Sequence, residues 1–150
     1  MARRHSGQAL LGEQGGQIII DYSLYELSMD DSLKCLSYNC HGLNTIKADY
    51  LREISGAYDL VLLQETWLYE DSNFFDEHFP GFTSYAVSGM DASKVNYGRP
   101  FGGCCILWKE DLLVSVIPVS TTSERVCAVT IKNNDYDIMS TCHVTLVIKM

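Results

Sequence analysis

The chain has 150 residues, 47% of them hydrophobic and 20% charged, which excludes disordered and collagen-like classes and leaves one ordinary globular domain. Its formal net charge of −8 opposes broad non-specific binding to nucleic acid, because Lys and Arg contacts to phosphate supply most of that affinity. No run approaches the ~20 apolar residues of a membrane span, so the chain reads as intracellular and soluble, with no membrane partner.

Residues 1–16 contain Arg-Arg-His-Ser-Gly-Gln and Gly-Glu-Gln-Gly-Gly, with Leu10 and Leu11 as a weak apolar pair, and are expected to lack order. The polar run after Arg3 and Arg4 interrupts any apolar signal segment. Residues 18–20 are all Ile and allow a short strand, whereas 21–31 mix Tyr22, Leu24, Tyr25 and Leu27 with Asp30 and Asp31 without a period. Residues 1–31 are therefore expected to be a poorly ordered leader.

From Leu33 the pattern sharpens. Two apolar runs of strand length, 33–40 and 60–64, flank a segment in which Ile46, Tyr50, Leu51 and Ile54 are spaced as one helical face. This predicts a βαβ unit with the helix over 45–55, a turn at Gly42 and a helix stop at Gly56. Ser72 is placed to cap a short helix carrying Phe74, Phe75, His78 and Phe79, ended by Pro80-Gly81 and followed by a strand over 83–87. After a polar loop over 88–101, Gly102-Gly103 opens a strand over 104–108. Residues 112–119 follow as a strand whose Pro118 points to an edge or terminal position. Residues 125–132 and 136–140 alternate around Asn133-Asn134-Asp135, which reads as a hairpin.

The six cysteines (35, 40, 104, 105, 127, 142) include an adjacent pair, Cys104-Cys105, that strand geometry sends to opposite faces. They read as reduced and mostly buried; no Cys-x-x-Cys or His-x-x-x-His pattern accompanies them, so a structural zinc site is not expected.

Parallel packing of the first two strands would bring their C-terminal ends side by side, placing Asn39 and Glu65 at the crevice where open α/β sheets hold ligands. Alone, Glu65 reads as a solvated strand-end carboxylate, Asn39 as a turn former bonding its own backbone, and His41 as an exposed turn residue. Together, an amide beside a carboxylate suits a metal and a phosphate.

Leu-Ser-Tyr-Asn-Cys-His-Gly-Leu (36–43), followed by Asp-Leu-Val-Leu-Leu-Gln-Glu-Thr-Trp (59–67), resembles the opening of the endonuclease/exonuclease/phosphatase family. Phe-Gly-Gly-Cys-Cys-Ile-Leu-Trp-Lys (101–109) and Ser-Glu-Arg-Val-Cys-Ala-Val (123–129) resemble in particular the endonuclease domain of non-LTR retrotransposons, and the resemblance covers about 31–139. It implies an α/β fold, the N-terminal part of a four-layered α/β sandwich with a mixed β-sheet and flanking helices. It also implies phosphodiester hydrolysis assisted by Mg²⁺ or Mn²⁺, with DNA as substrate. Glu65 matches the metal-binding glutamate and Asn39 the amide beside the scissile phosphate, while Gly102, Gly103 and Arg125 are expected to be structural.

Family members continue with a strand tyrosine, an Asp-x-Asn motif and a terminal Ser-Asp-His that carries the base, none of which occurs here. Asp135 and Asp137 read as surface charge and His143 as a lone histidine. The expectation is a domain over 32–139 that is truncated before its base and inactive alone, self-associating through the sheet face that the missing half would cover. Residues 140–150 are expected to be an aberrant tail: permissible codons read two bases in spell Tyr-Met-Pro-Cys-Asp-Thr-Ser-Asn-Lys-Asp, a family-like continuation, as a frameshift would leave. The alternatives are a non-catalytic interaction module on the same half-fold and a phosphoesterase for small or lipid phosphates. A nuclear location is an expectation from the family resemblance.

Overall fold

The computed structural model describes residues 10–14, 17–22, 33–69, 73–90, 101–133 and 142–147, with side chains placed over 33–69, 73–90 and 101–131. In chain order the elements are β1 (Leu10–Gln14), β2 (Gln17–Tyr22), β3 (Leu33–Asn39), α1 (Thr45–Ser55), β4 (Leu60–Gln64), α2 (Phe74–His78), β5 (Phe82–Val87), β6 (Cys104–Lys109), β7 (Val114–Val119), β8 (Val126–Asn133) and β9 (Cys142–Val147). They form a six-stranded sheet in the order β1-β2-β3-β4-β6-β5 and a three-stranded sheet in the order β7-β8-β9. The β3–β4 pair is parallel and every other pair is antiparallel, so the fold is mixed α/β around the expected βαβ unit.

Strand alternation divides the interior in two. Leu36, Val61, Leu63, Cys105 and Leu107 point to one side, where Ala48 and Leu51 of α1 and Phe75 of α2, with the neighbouring Phe79, bury against them. Cys35, Leu60, Leu62, Cys104, Ile106 and Trp108 point to the other side and meet Cys127, Val129 and Ile131 of β8. The layers are thus helices, large sheet and small sheet. Among the described residues the small sheet packs on the inner face of the large one, where β8 helps to bury Cys35, Leu60, Leu62, Cys104, Ile106 and Trp108.

α1 begins where Asn44, extended at φ −136°, accepts the Lys47 backbone N–H with its side chain. Its bounds are those expected, and of the expected face Leu51 and Ile54 reach the core while Ile46 and Tyr50 do not. Ala48, Leu51 and Ser55 are buried, whereas Ile46 is 80% and Tyr50 51% exposed. At 3.6 residues per turn, positions 46 and 50 lie about 140° and about 100° around the helix from Leu51, so they cannot share its contact with the sheet. Gly56 caps the helix in the right-handed region rather than a left-handed one.

Other boundaries shift for identifiable reasons. Asn73 occupies the N-cap of α2, and Ser72 lies outside the described residues. The strand expected over 112–119 starts at Val114, because Leu112 N–H bonds the Lys109 carbonyl in a turn. Pro118 sits on β7, an edge of the small sheet, where its missing N–H breaks no ladder on the open side. In the expected leader, Leu10–Gln14 and Gln17–Tyr22 form strands, and β2 pairs with β3 from Gln17↔Tyr38 to Tyr22↔Leu33, satisfying the side of β3 that β4 does not. β8 pairs not with the expected 136–140, which lie within the undescribed stretch 134–141, but with Cys142–Val147, so part of the tail serves as a sheet strand.

Candidate functional site

Parallel pairing sets Asn39 opposite Gln64, the residue before Glu65, so the two residues singled out from the sequence lie at adjacent strand ends. The connections leaving β3 and β4 are then tied together by backbone hydrogen bonds: Cys40 N–H to the Gln64 carbonyl at 2.7 Å, Gly42 N–H to that of Glu65 at 2.8 Å, and Leu43 N–H to that of Thr66 at 2.8 Å. From the other side, Thr66 and Trp67 N–H groups donate to the carbonyls of Gly103 at 3.1 Å and Gly102 at 3.0 Å.

This double tie holds an unusual backbone. Among the described residues the non-glycine positions with positive φ are His41 (44°), Glu65 (51°) and Trp67 (56°), all in these two connections. Each costs an L-residue about 1–2 kcal/mol, which persists only where the surroundings enforce it, as they do at ligand sites. The glycines are required by the same packing. A Cβ on Gly42 (φ +83°) would run into the Trp67 ring, and one on Gly103 (φ +81°) would strike Thr66 Oγ1.

Lys47 completes the scaffold. Its ammonium donates to the carbonyls of Cys40 (2.8 Å), His41 (3.0 Å) and Gly42 (2.8 Å), using all three N–H groups. Those carbonyls turn inward because the 40–42 connection curls over the first turn of α1, and a cation meets them there. Cys40 beside it is buried, and burial pushes its thiol up to about 12 against the opposing pull of Lys47.

His41 Nδ1 lies 3.4 Å from Glu65 Oε2, an ion pair when the imidazole is protonated. Glu65 is about three-quarters covered, while His41 is open to solvent. Asn39 keeps its local role, its Oδ1 accepting the His41 backbone N–H at 3.1 Å. Glu65 also lines an open pocket of about 70 Å³ with Gly89, Phe101, Gly102, Gly103, Cys104, Glu124 and Arg125. Asn39 does not line this pocket, so the structure brings Asn39 and Glu65 to neighbouring strand ends without placing both in one cavity wall.

Arg125, expected to be structural, stands at the pocket rim, its backbone N–H held by Ser123 Oγ at 3.3 Å. Glu124 crosses the mouth, close enough that a Cβ on Gly89 would come within 2.8 Å of its Oε2. Glu124 and Phe101 lie in the stretches that carry the resemblance but were not singled out as site residues: Phe101 comes beside Glu65 through the β4–β6 pairing, and Glu124 lies just before β8 of the small sheet. Gly102 and Gly103 act structurally, as expected.

Among the described residues no three His, Cys, Asp or Glu side chains cluster as a metal cage. A hard cation such as Mg²⁺ needs less: it keeps several waters and takes one or two carboxylates plus substrate oxygens. A largely covered Glu65 carboxylate at an open pocket fits that requirement. Five cysteines are buried with free thiols, and the side chain of Cys142 lies outside the described set. No helix among the described residues is long and apolar enough to cross a membrane.

Comparison with family models gives a match to the Endonuclease/Exonuclease/phosphatase family over residues 36–146. The match runs seven residues beyond the point near 139 at which the sequence resemblance was placed to end, and it takes in most of β9. No curated protein matches the chain.

Proposed function

The chain belongs to the endonuclease/exonuclease/phosphatase family, and from that premise we propose that Glu65, Asn39 and Arg125 form the metal- and phosphate-binding half of a phosphodiesterase site of DNA-endonuclease type. Membership implies a hydrolase of phosphodiesterase or nuclease type. The observation that carries the reading is that Glu65 is one of three strained non-glycine residues, with His41 and Trp67, in two connections held by backbone bonds from both flanking segments.

Glu65 would hold Mg²⁺ or Mn²⁺, a Lewis acid that, when bound, neutralises charge developing on a phosphoryl oxygen. Asn39 spends its carbonyl oxygen on the His41 turn and keeps its NH₂ donors for a phosphate oxygen. Arg125, which lines the same pocket as Glu65, offers a guanidinium suited to bidentate phosphate contact. The retroelement endonuclease subgroup is supported by the stretches over 101–109 and 123–129, which supply Phe101, the glycine pair, Glu124 and Arg125 to the pocket wall.

Cleavage also needs a base to activate water. Among the described residues the charged side chains lining the pocket are Glu65, Glu124 and Arg125, and no Asp-x-Asn pair faces Glu65. The proposed role of this chain is therefore to bind cation and phosphate rather than to cleave by itself. With supercoiled plasmid and Mg²⁺, nicking by the purified chain is expected to equal that of a Glu65→Ala control. Clear Mg²⁺-dependent nicking that the substitution abolishes would overturn the non-cleaving part of the proposal.

A further inference from the structure

One wall of the Glu65 pocket is explained by neither cation nor phosphate: Phe101 lines it with 51% of its surface exposed. A single exposed apolar residue is ordinary on a protein surface, but this one is distinguished by its kind and its place. The chain has five phenylalanines, and the other four, Phe74, Phe75, Phe79 and Phe82, all belong to the outer-face core. The backbone that follows Phe101 is tied to the site. The carbonyl of Gly102, the next residue, accepts Trp67 N–H at 3.0 Å, and Gly103 holds Thr66, so the backbone that carries the ring is bonded to the turn that carries Glu65.

An aromatic face, a guanidinium and a carboxylate around one small pocket are the parts that a nucleotide unit requires. The aromatic face stacks a base, Arg125 meets a phosphate, and a cation on Glu65 meets another oxygen. We propose that Phe101 is a stacking platform for an unpaired nucleobase, so that the site selects single-stranded or locally unpaired polynucleotide over duplex and over small phosphates. The inference rests on the phosphodiesterase reading above. In a duplex both faces of each base are already stacked, so the platform has nothing to bind; in an unpaired strand the base face is free and any base serves. The net charge of −8 opposes broad electrostatic attraction to duplex phosphate, which agrees with a mode that draws on stacking and the cation. Among the described residues Arg125 is the single cationic side chain lining the pocket, and one phosphate contact on a single strand gives a shallow log–log salt slope of about −0.7.

The test uses the full chain in Mg²⁺ and fluorescence anisotropy with three probes: an oligothymidylate of about eight nucleotides, within the usual single-strand site size, an abasic sugar-phosphate chain of the same length, and the oligothymidylate annealed to its complement. The oligothymidylate is expected to bind about fivefold to about 150-fold more tightly than the abasic chain, the range for one base–aromatic stack. Phe101→Ala should erase that difference while leaving abasic binding unchanged, and Phe101→Trp should preserve it. Equal affinity for base-bearing and abasic strands, equal weakening of both by Phe101→Ala, tighter binding of the duplex, or no measurable binding of any probe would each overturn the platform. Mn²⁺ binding by the same samples separates the two proposals. Glu65-dependent Mn²⁺ binding without base discrimination sinks the platform alone, and base discrimination without Glu65-dependent Mn²⁺ binding sinks the metal reading alone.

Discussion

Lys47→Met removes the ammonium that gathers three carbonyls and leaves a side chain of similar length. Two of the three bonds, to Cys40 and Gly42 at 2.8 Å each, are part-buried, and the third, to His41 at 3.0 Å, is exposed. Hydrogen bonds to charged groups contribute about 1.5–3 kcal/mol each, so the two covered ones total about 3–6 kcal/mol. Fixing a lysine side chain costs up to about 2 kcal/mol, which the variant no longer incurs in full. With that entropy subtracted in full the expected loss is about 1–4 kcal/mol, read as a lower midpoint with unchanged slope in urea unfolding followed by Trp fluorescence. The same variant should bind Mn²⁺ more weakly without losing a ligand, because the 40–42 connection is bonded to the Glu65 carbonyl through Gly42. A stability loss under about 0.5 kcal/mol, the size of an ordinary surface change, would show that Lys47 does not hold the connection and would refute the reasoning.

Two glycine substitutions should move stability in opposite directions. Gly103→Ala places a Cβ against Thr66 at φ +81° and should lower thermal stability by about 2 kcal/mol or more, whereas Gly56→Ala meets nothing within 4 Å at a right-handed φ of −56° and should raise it by about 0.4–1 kcal/mol. Calorimetry of both variants checks the signs; equal effects would mean that the Thr66 contact is not present. Alkaline pH should destabilise the fold. Burial raises the Cys40 thiol to about 12 and the Cys105 thiol well above its ordinary value, so the unfolded chain releases protons that the folded chain retains. The associated stability is complete below about pH 8.5, the unfolded thiol value, and falls as pH rises toward about 12, by about 2.7 kcal/mol per pH unit for two thiols. A stability plateau extending past pH 10.5, about two units above that unfolded value, would contradict the burial of these thiols.

The βαβ unit was readable because its strands are short apolar runs buried on both faces and its helix lies between the Gly42 turn and the Gly56 stop, signals that act within a few residues. The face of α1 was readable only in part. Ile46 and Tyr50 are apolar enough to mimic a core stripe, and only the position of the sheet shows that Ala48, Leu51 and Ser55 face it. The β1–β2 hairpin and β9 were missed because their stability comes from pairing with β3 and β8, partners that local composition does not reveal. Glu65 and Asn39 stood out through strand-end position and resemblance, and the structure sets them at neighbouring ends. The Phe101–Glu124–Arg125 side of the pocket comes from segments at least 36 residues away from Glu65 in the chain, brought to it by the β4–β6 pairing and by the packing of the two sheets. Lys47 carries no motif at all; its role exists because three carbonyls happen to converge where the chain curls over α1.

Mn²⁺ titration followed by electron paramagnetic resonance tests whether Glu65 is a cation ligand and requires no turnover. The wild-type chain should bind one Mn²⁺ that Mg²⁺ displaces; Glu65→Gln, which keeps size and hydrogen bonding but removes the charge, should abolish that binding, and Glu77→Gln on the exposed surface of α2 should leave it intact. Mn²⁺ binding of equal strength in the wild type and Glu65→Gln, or none in the wild type, would contradict the account.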